Sequence, residues 1–329
     1  MADFSDILND ARWLPHGFDP QNRAVTFIRL DRDRLSAPAF LADAVPGEGT
    51  QPVAIRLADI ATANISHSPL HFVFHTAFCR STLMTRALQL PGTCAALSEP
   101  GILAKIGGAS PDVLPQILRL LGRGWGEGES VFVKPTNHAN ALIPAIMEAR
   151  PDARAVLMTN PLPSFLSAVT RKGMMGRRWA RQLYLEVMGY AGMDLGMDGA
   201  EQFAMTDLQC AALAWFLNQR YWDALSRKYG DRVQILDGDH FGAEPASVLS
   251  GVGAFTGVAI DAGRAQDIAN GPVFTADAKT GEDYAAKAAR DAAATQSAVV
   301  EEEIAKVGEW IGMIAKQVGI TVPVKSTLV

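Results

Sequence analysis

Residues Leu70 to Leu90 read LHFVFHTAFCRSTLMTRALQL. The apolar run Phe72 to Phe74 has strand character, Thr76 to Arg80 form a tight turn, and Ser81 and Thr82 open a stretch with apolar residues three and four positions apart. A strand, a turn and a hydroxyl-headed helix in that order gather backbone N–H groups and the positive end of a helix dipole at one point. Such a corner suits an anion, phosphate or sulfate. The turn has neither glycine nor lysine, so it departs from the G-x-x-x-x-G-K-[ST] loop of ordinary nucleotide hydrolases. Ser81 and Thr82 would serve equally as plain helix caps.

The pattern continues outward from this stretch. Short apolar strands at Phe72 to Phe74, Cys94 to Leu97, Val131 to Val133, Ala155 to Met158 and Val233 to Leu236 alternate with helical stretches. These are Ser81 to Leu90, Asp112 to Leu121, Leu142 to Ala149, Ser164 to Arg171 and Thr206 to Arg227. The alternation predicts an α/β fold, a three-layer αβα sandwich on a mainly parallel five-stranded sheet. Residues 1–66 read as an N-terminal addition without a chemical motif, with a strand at Ala24 to Leu30 and a loop around Pro46 to Pro52. Residues 67–260 form the core, and residues 261–329 a helical segment completing it, with 282–317 read as helix.

Of 329 residues, 48% are hydrophobic and 20% charged, which suits a soluble globular chain. A net charge of −5 gives no global attraction to nucleic acid or an acidic membrane, so anion binding must come from a local patch. One such patch is Arg171, Lys172, Arg177, Arg178 and Arg181, which otherwise reads as a solvated helix face. The three cysteines, Cys79, Cys94 and Cys210, form no C-x-x-C pair and favour a reducing compartment. The acidic start, MADFSDILNDARW, does not resemble a signal peptide, and no run approaches about 18 apolar residues. The expectation is a cytoplasmic protein acting on a small molecule, without nucleic-acid or membrane partners.

The string STLMTRAL resembles the S-T-L-L-x-R-L-L that follows the phosphosulfate loop of bacterial and Golgi-type sulfotransferases. Further stretches follow in that family's order. Leu97-Ser98-Glu99-Pro100 resembles its second-strand Glu-Pro element, and Val133-Lys134-Pro135-Thr136-Asn137 resembles a strand ending in Lys-Thr-Pro-Arg-Asn. Pro151 to Val156 with Asn160-Pro161 and Ser167 resembles the run ending on the 3′-phosphate serine, and HFGAEPASVLSGVGAFTGV resembles a later Y-E-D-L segment. The likeness spans roughly residues 70–260 and rests on the joint order of individually weak matches.

This resemblance implies a P-loop-like fold that transfers a sulfuryl group from 3′-phosphoadenosine 5′-phosphosulfate to a hydroxyl or amine, without a metal requirement. On it, Cys79, Arg80, Ser81 and Thr82 hold the 5′ anionic group, and Ser167 and Arg171 hold the 3′-phosphate. Glu99 or His138 takes the acceptor's proton, work worth about a hundred to ten-thousandfold in rate. Lys134 and Arg80 are the cations for charge developing on oxygen. The departures are Phe78 at the loop lysine, Arg80 at the loop glycine and Thr159 at the arginine before Asp-Pro. Arg80 could replace the first lost charge, and Arg171 or Arg154 the second.

Each candidate also has a structural role open to it: Glu99 as a helix cap, Lys134 as an edge lysine, His138 as a loop bystander. His67, His71 and His75 recur every fourth residue, but on a strand that spacing separates them by about 13 Å, too far to share a metal. Cys79 precedes a helix, yet Arg86 comes one residue late for a cysteine-phosphatase C-x-x-x-x-x-R loop. Two other functional classes stay open: a catalytically degenerate binder of nucleotide or partner, and an ATP-dependent small-molecule kinase. The acceptor pocket is expected between the Gly173 to Met193 segment and the region after Asp277.

Overall fold

The computed structural model describes residues 4–36, 38–108, 110–275 and 297–329. Near the N-terminus, β1 (Trp13–Asp19), β2 (Ala24–Arg29) and β3 (Val53–Arg56) pair antiparallel in that order. The expected strand at Ala24 is β2. Its neighbours escape a pattern reading: β1 carries Pro15 and Gly17 with a register shift between them, and β3 is four residues long after Pro52. Proline and glycine depress strand propensity, and here cross-strand packing overrides them.

The central sheet has five parallel strands. They are β4 (Leu70–His75), β5 (Cys94–Ser98), β6 (Ser130–Lys134), β7 (Ala155–Thr159) and β8 (Val233–Asp237), in the order β5-β6-β4-β7-β8. All five expected strands are present, each one to three residues longer than its expected run. Alternation divides them between two cores: Phe72, Phe74, Leu97, Val131 and Leu157 face one, and Val73, Ala96, Phe132, Val156 and Met158 the other. Burial on both faces is what makes four of these strands carry continuous apolar runs, while Gln234 interrupts the edge strand β8. The first core also takes in Leu14, Val25 and Phe27, so the N-terminal sheet packs directly over one face of the central sheet.

The helices that shape the site are α1 (Ser81–Ala87), α2 (Val113–Leu121), α3 (Ile143–Ala149), α4 (Leu162–Arg171), α5 (Gly173–Ala191), α6 (Asp207–Tyr229), α7 (Gly238–Ala243), α8 (Pro245–Thr256) and α9 (Ala298–Gln317). The first part of the C-terminal helix expected from the sequence, including Tyr284, lies outside the described residues. Thr206 and Gln209 start α6 with a reciprocal capping box, backbone to side chain at 3.2 and 2.9 Å. Its Leu213, Phe216 and Leu217 join α4, α5 and α9 in a third core, while Trp222 and Leu225 reach the first. That explains its apolar character on several sides.

Just after α2, the fully buried Arg123 ties the N-terminal region down. Its Nε donates to Leu120 O (2.7 Å), and its Nη1 and Nη2 donate to Ile7 O (2.8 Å), Asp10 O (3.1 Å) and Trp13 O (2.5 Å). Burial without a paired carboxylate pushes this guanidinium down to about 9. At the opposite edge of the central sheet, Thr327 N donates to Ile235 O (2.9 Å) and Ile235 N to Thr327 Oγ1 (2.9 Å), so the C-terminal tail covers the open side of β8.

Candidate active site

Because β4 is central while its own connection runs to β5 at one edge and β7 continues toward β8 at the other, the chain diverges at the carboxyl end of β4. Open α/β sheets bind ligands at such a point. Four residues there have left-handed backbone: Ala77 (φ 72°), Phe78 (φ 56°), Arg80 (φ 62°) and Glu99 (φ 50°). Among the described residues only one other non-glycine residue, Arg23, has positive φ. Each such residue costs about 1–2 kcal/mol, and strain of this kind gathers where function demands a particular backbone shape.

Three side chains from three strand ends converge beside this turn. Lys134, at the end of β6, is fully buried and donates to Glu99 Oε1, just beyond β5. His75 ends β4 with Nε2 3.1 Å from Pro135 O and 3.6 Å from Glu99 Oε1, while its Nδ1 accepts from Ala77 N at 3.2 Å. This pattern sets the Nε2–H tautomer. Phe40 lies across the Lys134 ammonium at 5.3 Å, Ala42 N donates to Glu99 O (3.0 Å), and Ser98 Oγ donates to Ala39 O (2.9 Å). The N-terminal segment thus roofs the Lys134–Glu99 pair and keeps much of the water out.

Cys79 is fully buried, and desolvation raises its thiol above the ordinary range although Lys134 and the Ser81 hydroxyl act in the opposite direction. That removes the reactive-thiol reading. Ser81 and Thr82 are buried at the start of α1, where the first amides lack intrahelical acceptors. The Arg80 guanidinium turns away, binding Gly238 O (3.1 Å) and Asp239, whose other oxygen accepts from Ser164 Oγ at 2.6 Å. Gly238 packs against the turn itself, where a Cβ would fall 2.3 Å from Cys79 O, and a Cβ on Gly242 would fall 2.7 Å from Arg80 Nε and displace that side chain.

The remaining candidates stand apart from this cluster. His138 lies in the turn after β6 with Nδ1 2.5 Å from Glu186 Oε2 on α5, and no contact among the described residues links it to Glu99 or Lys134. Ser167 is half-buried on α4, with Arg171 exposed one helical turn on. Phe78, in place of the loop lysine, packs edge-on against Trp179 (5.2 Å between centroids) and tilted against Phe165 (6.0 Å). Thr159, in place of the arginine, is buried and accepts from Gln219 Nε2 at 2.6 Å. Arg154 cannot replace that arginine: it precedes β7 and Thr159 ends it, about 16 Å away along the strand, and its guanidinium binds Phe255 O.

His75 is the residue that pattern reading misses as a site member, since histidine spacing points only to metal. Its position as the last residue of the strand before the turn is the signal that finds it. Among the described residues no group of three or more His, Cys, Asp or Glu is placed to hold a metal ion, and no helix is long and apolar enough to cross a membrane. Of eight buried polar atoms without a protein partner among the described residues, four lie near these strand ends: Thr76 Oγ1, Asn137 Nδ2, Asn140 Oδ1 and Asn160 Oδ1. Native interiors rarely leave such groups unmet, and a ligand at this edge would supply bonds to these four.

No protein-family model matches the chain, and no curated protein matches it. Among solved structures it is similar to a sulfotransferase from Alicyclobacillus acidocaldarius, at 16% identity and TM-score 0.34 over 72% of this chain and 97% of that one. It is also similar to a sulfotransferase domain from the curacin biosynthetic pathway, at 13% identity and TM-score 0.39 over 78% of this chain and 100% of that one. At these values the likenesses carry no weight for the activity.

Proposed function

We propose that the protein transfers a sulfuryl group from 3′-phosphoadenosine 5′-phosphosulfate to a hydroxyl or amine of a small acceptor. The observation that carries this reading is the buried Lys134–Glu99 pair, with His75 beside it, next to the strained turn opening onto α1. Resemblance of the sequence motifs, in their order, supplies the sulfuryl chemistry. The residues suit the donor's 5′ end: the Thr76 hydroxyl and Asn137 amide lack protein partners, the first α1 amides have no side-chain cap, and Lys134 would supply charge. At the 3′ end only Ser167 and Arg171 are candidates, because Thr159 is engaged and Arg154 lies at the wrong edge.

In this reading an anionic donor competes with Glu99 for the Lys134 ammonium. Glu99, released, takes the acceptor's proton, and Lys134 stabilises negative charge gathering on oxygen. His75, held by Pro135 O and Ala77 N, stands 3.6 Å from Glu99 and helps position it. Most of the acceleration comes from alignment in a roofed site.

The expected result is that 3′-phosphoadenosine 5′-phosphate raises the melting temperature, since ligand at about 100 times its Kd stabilises by about 2.7 kcal/mol. Lys134→Ala should abolish transfer and most of that shift. No shift at millimolar nucleotide removes the donor assignment. A second reading, binding without catalysis, is favoured by one observation: an aromatic trio, Phe78, Phe165 and Trp179, occupies the position of the loop lysine. A normal thermal shift with no transfer to any acceptor would select it.

A further inference from the structure

The outer face of α5 is unlike the rest of the surface. Four of the nine exposed large hydrophobic side chains among the described residues lie on it or beside it: Met174 (78% exposed), Met175 (71%), Leu185 (64%) and Phe203 (87%). Phe203 belongs to this face because Arg181 Nη2 donates to Met205 O at 2.7 Å, which brings that segment alongside the helix. Met174, Arg178, Arg181 and Leu185 fall at spacings of four, three and four, a single stripe about 16 Å long. The opposite face, with Ala180, Leu183 and Val187, is buried against α4 and α6. The exposed apolar residues are therefore not strays from the core: Met174 and Leu185 share the outward face of the helix with Arg178 and Arg181, and Met175 stands beside them.

Cations flank this face. Between Asp152 and Glu186 the chain contains no acidic residue and six basic ones. Among the described residues, Arg181 pairs with Asp207, and Arg177 with Glu303 at 3.5 Å. Lys172 and Arg178 are exposed on either side of Met174 and Met175, at the protruding corner where Gly173 (φ 58°) turns α4 into α5. Exposed methionines between exposed cations match the boundary of an anionic bilayer, with apolar side chains below the headgroups and cations at the phosphates. A second copy of this chain fits badly, because a two-fold contact would set Arg178 and Lys172 against their own like charges. A nucleic acid would leave the methionines, Leu185 and Phe203 without a role.

We propose that the outer face of α5 docks the protein on an anionic phospholipid surface, with Met174, Met175 and Leu185 entering the headgroup boundary and Lys172 and Arg178 meeting lipid phosphate. The whole-chain charge of −5 argues against membranes in general; this corner is a local exception. Because Ser167 and Arg171 lie on the α4 side of the corner and Trp179 on the α5 side packs on Phe78, docking places the candidate site next to the lipid surface. The docking itself does not depend on the reaction catalysed.

The test is co-sedimentation of the full chain with phosphatidylcholine vesicles, with and without phosphatidylglycerol, at low and high salt. Binding is expected only with phosphatidylglycerol, weakening with salt. Lys172→Gln with Arg178→Gln should weaken it about thirtyfold, from about 1 kcal/mol for each cation at such a surface. Met174→Ser with Met175→Ser should also weaken it without changing the melting temperature, since both side chains are already in solvent. Absent or equal binding to the two vesicle types overturns the proposal. So does retention of binding in the methionine variant, which marks a polyanion site that heparin would fill as well, or a dimer in sedimentation equilibrium that the methionine variant dissolves.

Discussion

Lys134 and Glu99 show how much of the site's energetics rests on two side chains. Lys134 is 1% exposed at its side chain and Glu99 15%, so each depends on the other for most of its compensation. Lys134→Met should therefore destabilise by about 2–4 kcal/mol, the lower part of the range for breaking a buried pair because Glu99 keeps some water. Adding Glu99→Gln should recover most of that loss while leaving transfer abolished. Urea denaturation of the two single variants and the double variant measures the coupling, and a double variant no more stable than Lys134→Met alone would show that the pair is not the source of the cost. Both residues were visible as strand-end candidates in the sequence. Their pairing was not, since 35 residues separate them and only the parallel alignment of Ser98 with Lys134 brings them together.

Among the elements, four core strands were legible because each is buried along its length and contains an unbroken apolar run, and β8 from Val233, Ile235 and Leu236 around Gln234. Of the N-terminal sheet only β2 was, for β1 is interrupted by Pro15 and Gly17 and β3 has four residues, and both pack against the first core. Besides that apolar packing, one arginine spans four stretches of backbone and ties the region down. Arg123→Met should leave the carbonyls of Ile7, Asp10 and Trp13 without their donor and cost at least about 3 kcal/mol, several buried hydrogen bonds to a charged group being lost together. Hydrogen exchange should show the helix at Phe4–Asn9 losing protection before the central sheet does. Equal loss across both would refute the anchoring role.

For the whole molecule, a histidine far from the turn is expected to make stability depend on acid pH. His71 is buried at the start of β4, tilted on Phe132 with rings 5.4 Å apart, and desolvation, aided by Arg154, pushes it from 6.5 to about 4. In the folded state it stays neutral where the unfolded chain takes up a proton, so the unfolded state binds more protons between those values. Stability should fall by about 3 kcal/mol as pH drops from about 6.5 to about 4 and depend little on this group outside that window. His71→Phe should flatten that part of the profile in urea titrations, and an unaltered slope would move the effect elsewhere. The amino-acid order by itself determined the alternation of strands and helices, the strand–turn–helix corner and the resemblance of its flanking motifs, because these depend on local periodicity and hydrogen-bonding chemistry. Only the tertiary structure decided that Arg80 turns to Asp239, that Phe78 joins Trp179 and that His75 meets Glu99 under Phe40. Those contacts link residues that are distant in the chain, and burial and charge pairing select them only once the sheet order has set which strand ends are neighbours.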